Sequence, residues 1–186
     1  MIVSHIAVPY AKALFDLTLE KNLLEETMKD MRIIADLVES NKDFRRMLKS
    51  PVISEEKKKI IFTRLFEKVL SKLSFTFLII IIRKKREAFI GDIAFSFIEL
   101  YEDYKGIIST RFMTAVPATD DIRKKVIDLM KTHNKGTIEL KEEVNSELIG
   151  GFILQWKDKQ IDGSISRQLR RLQRGVARVN LYRKGY

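Results

Sequence analysis

The sequence predicts a mainly α protein: an N-terminal six-helix bundle followed by a small α/β (α+β) C-terminal domain. Three observations carry this. Through residues 1–105 apolar side chains recur every three to four positions, the period of a helix. That stretch holds little glycine and only Pro9 and Pro51 among prolines. After Gly106 the period drops to two, the period of a strand. The boundary falls at Gly106, with residues 1–105 as the bundle and 106–186 as the second domain.

The first helix is expected over roughly Ser4–Glu20. The second covers Leu23–Glu39, where Leu24, Met28, Met31, Ala35 and Val38 share a face. Ser40-Asn41 ends it, and a short helix follows over Asp43–Lys49. Ser50-Pro51 breaks the chain, because the residue before proline avoids helical backbone. Ser54, with Glu55 and Glu56 behind it, starts a fourth helix as a capping serine with acids in the first turn. Its expected apolar face is Ile60, Ile61, Leu65 and Val69. Ser71 opens a fifth helix through Leu78-Ile79-Ile80-Ile81-Ile82. A sixth follows Phe89, with Ile93, Phe97, Leu100 and Tyr104 facing inward, and Lys105-Gly106 closes it.

Beyond Gly106, Ile108, Phe112 and Val116 share one face of a strand that Pro117 ends. Thr119 caps a helix beginning Asp120-Asp121, with Ile122, Val126, Leu129 and Met130 inward, stopped by Asn134-Lys135-Gly136. Thr137–Val144 alternates, with Ile138, Leu140 and Val144 in and Glu139, Lys141 and Glu143 out. Gly150-Gly151 precedes a strand bearing Phe152, Leu154 and Trp156 on one face. Asp158-Lys159 allows a tight turn into Gln160-Ile161, Asp162-Gly163 is a second turn, and a last helix starts near Ser166.

Composition bounds the chemistry. There are no cysteines, which removes disulfides, thiol nucleophiles and thiolate zinc sites and suits a reducing compartment. No cleavable signal is visible at the N-terminus. The isoleucine run is too short to span a bilayer, which takes about 20 apolar residues. His5 and His133 lack ligand-spaced acids, and no phosphate-binding glycine loop with its Lys-Ser/Thr is present. Gly150-Gly151 reads as a bend where a strand nears other backbone. Asp158 and Asp162 are paired carboxylates by spacing, but both sit at turns that favour aspartate for backbone reasons. No catalytic residue, cofactor or metal is expected.

Two features exceed what a self-contained fold requires. The first helix carries two apolar stripes, Ile6, Tyr10, Ala13 and Leu17 beside Val3, Ala7, Ala11 and Leu14, with Phe15 further round. The fifth is apolar on every side. A bundle helix generally needs one stripe. Either both helices are buried all round, or a groove between them accepts an amphipathic partner helix, with Ala7, Ala11 and Ala13 allowing close approach. The second feature is the C-terminus. The formal net charge is +10, and no acid follows Asp162. Arg167, Arg170, Arg171, Arg174, Arg178, Arg183 and Lys184 accompany the apolar Leu169, Leu172 and Val176. Such a segment is either a solvated face or a site for an acidic partner or membrane surface.

Three stretches together resemble the delta subunit of bacterial F-type ATP synthase, counterpart of the mitochondrial oligomycin-sensitivity-conferring protein. They are Pro9-Tyr10-Ala11-Lys12-Ala13-Leu14-Phe15; Arg86-Glu87-Ala88-Phe89-Ile90-Gly91-Asp92-Ile93 with Phe97 and Tyr101; and Gly150-Gly151, Asp158, Ile161-Asp162-Gly163-Ser164, Leu169 and Leu172. The resemblance spans the chain in order; the poly-isoleucine helix, its Arg-Lys-Lys-Arg end and the basic tail depart from it. It implies a non-catalytic peripheral-stalk subunit on the cytoplasmic face of the cell inner membrane, tying the catalytic head to the stator so that proton flow drives ATP synthesis. In that family a groove between helices one and five holds the N-terminal helix of an alpha subunit, which maps onto Ile6, Tyr10, Ala13, Leu14 and Leu17 facing Phe77, Ile80 and Ile81. The second domain meets the b subunits, placed at Leu169, Arg170, Leu172, Arg174 and Val176. The C-terminal motif is Gly151, Asp158, Asp162, Gly163 and Ser164. The charge also suggests a rival, a basic RNA- or ribosome-associated protein; a hydrolase using Asp158 and Asp162 is a second.

Overall fold

Residues 5–133, 136–156 and 159–171 are described in the computed structural model. The chain divides into two compact units, residues 1–104 and 105–186. The first is built from α1 (Ala7–Glu20), α2 (Leu24–Ser40), α3 (Lys42–Lys49), α4 (Glu55–Phe66), α5 (Lys72–Arg83) and α6 (Ile90–Lys105), with a 3₁₀ turn over Glu87–Phe89. Local chemistry sets these bounds. The Asn41 side chain accepts from the Asp43 and Phe44 amides and starts α3. Ser54 Oγ and Ser71 Oγ accept amides in the first turns of α4 and α5. α1 and α5 end alike: Leu23 N–H reaches Thr18 O and Asn22 N–H reaches Leu19 O, while Arg86 N–H reaches Ile81 O and Lys85 N–H reaches Ile82 O. Asn22 and Lys85 carry the left-handed backbone this closure demands, at φ 55° and 56°. Among the described residues no helix is long and apolar enough to cross a membrane.

The core of this unit gathers Leu14, Met31, Ile34, Phe62, Leu78, Ile81, Ile82, Ile93 and Phe97. Phe44, Phe62 and Phe66 form a ring cluster with centroids 5.3 to 6.1 Å apart. Three polar pairs join elements of this unit and offset the desolvation of their buried members. Lys58 Nζ donates to Glu87 Oε1 at 2.6 Å and to Leu48 O at 3.2 Å. Asp30 accepts from the amide and hydroxyl of Ser71, fastening α2 to the start of α5. Tyr101 donates to Glu25 at 2.7 Å, fastening α6 to α2.

Two expected faces are corrected here. α4 buries Lys58, Phe62 and Phe66, whereas Ile60, Leu65 and Val69 are exposed and Ile61 is half-buried. Two stripes overlap on this helix. The larger aromatic area and the Lys58–Glu87 pair decide its rotation. On α6, Ile93 and Phe97 are buried but Tyr101 takes the place expected of Tyr104, which is exposed; its ring meets Phe15 edge-on at 5.7 Å.

The second unit is β1 (Ile107–Thr114), α7 (Asp120–His133), β2 (Thr137–Val144), β3 (Phe152–Trp156), β4 (Lys159–Asp162) and a helix, α8, described over 165–171. Gly106, at φ 64°, makes the turn into it. The sheet order is β2-β1-β3-β4. β1 and β2 are parallel, joined by the α7 crossover, and the other pairs are antiparallel. Phe112, Leu154, Trp156, Val126, Met130 and Ala118 form the core. Arg123 of α7 donates to both Glu142 oxygens of β2 at 2.5 and 3.0 Å and to Asp120 at 2.5 Å. These bonds, Glu142's first, hold its guanidinium above its ordinary pKa. Four expected inward residues lie outside: Val116, Ile122, Leu129 and Val144 are exposed. β1 stops at Thr114, short of Val116. α7 needs only the Val126–Met130 stripe for so small a sheet, and Val144 closes an edge strand.

Candidate functional site

The two apolar stripes of α1 separate in space. Ala7, Ala11, Leu14, Phe15 and Thr18 face the core. Ile6 and Leu17 are exposed, as is Ala13, and Tyr10 is half-buried. α5 divides the same way: Ser74, Leu78, Ile81 and Ile82 are buried, while Phe77 is half-buried and Ile80 is 45% exposed. α2 packs against both helices. Between them runs a groove of about 420 Å³. Leu14 and Leu17 contribute from α1, Leu23 from the turn after it, and Leu73, Phe77 and Ile80 from α5. Thr76, Lys21 and Lys72 complete the lining.

The groove has a direction. The Arg86 guanidinium lies over the Tyr10 ring, 5.5 Å from its centroid. That contact places the start of α1 beside the end of α5, so the two helices are antiparallel. Lys21, at the end of α1, therefore sits with Lys72, at the start of α5.

Of the eight expected groove residues, the structure brings Leu14, Leu17, Phe77 and Ile80 together. Ile6, Tyr10 and Ala13 lie along α1 outside the lining, with Tyr10 beneath Arg86. Ile81 is corrected outright: it is 0% exposed and belongs to the core, one residue and about 100° round the helix from Ile80. Ala7 and Ala11, expected to admit a partner, instead pack inside their own unit. Leu73 was missed although it lies four residues before Phe77 on the same face. Leu23, Lys21 and Lys72 were missed because they sit at helix ends, where periodicity carries no signal.

At the second candidate site, Arg170 lines a cleft of about 510 Å³ with Asp162, Arg167 and Arg171, and Leu169 is exposed. Leu172, Arg174 and Val176 lie outside the described residues, as does Asp158 of the motif. The remaining motif residues form one junction. Gly151 has φ 81°, and a Cβ there would meet Gly163 O at 2.3 Å, so only glycine fits. Asp162 accepts from the Ser164 amide at 3.0 Å, and Ser164 Oγ accepts from the Arg167 amide at 3.2 Å and caps α8. The Ser164 hydroxyl first, then its amide, then Arg167 hold the Asp162 carboxyl below its ordinary pKa. Asp162 is thus committed to a turn. Among the described residues no group of three His, Cys, Asp or Glu could hold a metal ion.

Comparison with known proteins gives a consistent result. The family model described as ATP synthase delta (OSCP) subunit matches residues 6–176. The chain is 33% identical over 168 residues to "ATP synthase subunit delta" of Gloeothece citriformis (strain PCC 7424), covering 90% of this chain and 91% of the relative. It is 32% identical over 176 residues to the protein of the same name from Parabacteroides distasonis, covering 95% and 98%. In fold it is similar to a chain of the cryo-EM structure of the Toxoplasma gondii mitochondrial ATP synthase hexamer, with a TM-score of 0.73 at 20% identity, covering 94% of this chain and 98% of that one.

Proposed function

The chain belongs to the ATP synthase delta (OSCP) subunit family, a non-catalytic component of the synthase's peripheral stalk, and on that premise we propose that the α1–α5 groove receives the N-terminal helix of an alpha subunit. The six helices of the first unit form the bundle that sits on the catalytic head. The second unit meets the b subunits through the exposed Leu169 and the arginines of α8. The assembly lies on the cytoplasmic face of the cell inner membrane, and this subunit is held there through its partners. Its task is mechanical: the head resists rotor torque only if it is tied to the stator, and a joint at each end of this subunit makes that tie. The family match supports this reading over the nucleic-acid one that net charge alone allowed.

One observation carries the groove assignment: Leu17 and Ile80, large aliphatic side chains on facing helices, stand open to solvent above a floor that includes the buried Leu14. Each aliphatic side chain a partner covers contributes roughly 1.5–3 kcal/mol, against about 4–15 kcal/mol lost on association. A partner must therefore cover several at once, as an amphipathic helix does. The test is titration with a synthetic peptide of the cognate alpha subunit's N-terminal helix. Leu17→Asp should weaken binding about tenfold or more with the helical circular-dichroism signal retained. Unchanged affinity would remove the groove as the joint.

A further inference from the structure

The groove is apolar along most of its length, and its charge is confined to one end. Among its described lining residues only Lys21 and Lys72 are charged, and no carboxylate lines it. Both side chains are exposed. Among the described residues neither ammonium has a carboxylate within ion-pair distance or a side-chain hydrogen bond. Glu20, the nearest acid in sequence, does not line the groove. The antiparallel arrangement fixed by Arg86 over Tyr10 brings the two lysines to the same end. At the opposite end the Arg86 guanidinium is taken up by the Tyr10 ring, and the exposed Arg83, Lys84 and Lys85 beside it do not line the groove. A lysine stem packs along apolar surface while its head stays in water. The pair therefore extends the groove walls and leaves two positive charges at its mouth.

We infer that the groove selects an amphipathic helix bearing a carboxylate side chain just beyond one end of its apolar stripe, and that Lys21 and Lys72 receive that carboxylate. This rests on the proposed docking of an alpha-subunit helix and adds the chemistry and direction of that helix. The leucines and isoleucine supply affinity without regard to direction, since an apolar stripe reads much the same from either end. The two ammoniums break that symmetry. A helix seated the right way round places its acid over them. One seated backwards leaves them unpaired, and one with a lysine at that position is repelled.

The test uses the full-length chain, the alpha N-terminal peptide and a peptide variant with its stripe-flanking acid replaced by lysine. Lys21→Glu/Lys72→Glu should weaken binding of the natural peptide about tenfold at low salt, as expected when two exposed pairs are reversed. The loss should shrink at about 0.5 M salt, where the screening length falls to a few ångströms. The acid-to-lysine peptide should bind the wild-type chain poorly and regain affinity for the doubly reversed one. Unaltered binding of the natural peptide by the reversed chain, or no regain with the swapped peptide, overturns the inference. Leu17→Asp separates the two levels. If it abolishes binding while lysine reversal is silent, the groove stands and the clamp falls. If it too is silent, the groove reading falls and the clamp with it.

Discussion

Lys85 occupies the left-handed position after α5, at φ 56°, where glycine is the common occupant. A Cβ in that conformation costs roughly 1–2 kcal/mol. Lys85→Gly removes that cost and gives back about 0.4–1 kcal/mol through a freer unfolded chain, so a net gain of about 0.5 kcal/mol is expected in urea unfolding. Asp162 supplies the second prediction at this scale. Its folded pKa is lowered, by the Ser164 hydroxyl first, then its amide and then Arg167. A lowered carboxyl adds stability that is fully present above its unfolded value, about 3.9, and is lost as pH falls through the folded value. Asp162→Asn keeps the oxygen that accepts the Ser164 amide and removes only the charge. It should cost well under about 1 kcal/mol near pH 7, because the arginines around the carboxylate are solvent-exposed and screened. The difference between variant and wild type should hold steady above about pH 4 and narrow as pH falls below it; a gap that does not narrow with falling pH would assign the cost to geometry rather than charge.

At the scale of elements, α1 shows how one helix serves two surfaces, and two substitutions one turn apart separate them. Leu14 is 1% exposed. Leu14→Asp buries an uncompensated carboxylate and should lower stability by several kcal/mol, so its loss of peptide binding would say nothing of the groove. Leu17→Asp lies on the solvent side and should leave the melting temperature within a few degrees of wild type while binding falls. If the two variants melt alike, the division of α1 into core and groove stripes is wrong. The same division decides what the sequence could tell. β2 is legible to the residue, because Thr137–Val144 alternates between turn signals. The surplus on α1 and α5 is legible as a surplus, and half the groove follows from it: Leu14, Leu17, Phe77 and Ile80. Ile81 is not legible, because in an unbroken isoleucine run every rotation of the helix looks equally apolar. α4 misleads for a related reason. Ile60, Ile61 and Leu65 outnumber Phe62 and Phe66, but the choice is made by ring area and by an ion pair to Glu87, 29 residues away. Such long-range pairing leaves no periodic trace.

At the scale of the whole molecule, the load is divided between two units that each own a core. Phe62, Phe97 and Ile81 are fully buried in the first and Phe112 and Leu154 in the second. The polar pairs Lys58–Glu87, Asp30–Ser71 and Tyr101–Glu25 all close within residues 1–104. Arg123–Glu142 and the Asp162–Ser164 turn close within the second unit. A tether between a torque-bearing head and a stator needs its two joints to work without sharing a site, and this partition provides that. A fragment of residues 1–105 should therefore fold alone, unfold cooperatively in urea and bind the alpha N-terminal peptide within about threefold of the full chain, a difference under about 0.7 kcal/mol. The same fragment should fail to bind the b subunits. Peptide affinity lost in a folded fragment would mean that the second unit completes the groove, and the two joints would then be one coupled site.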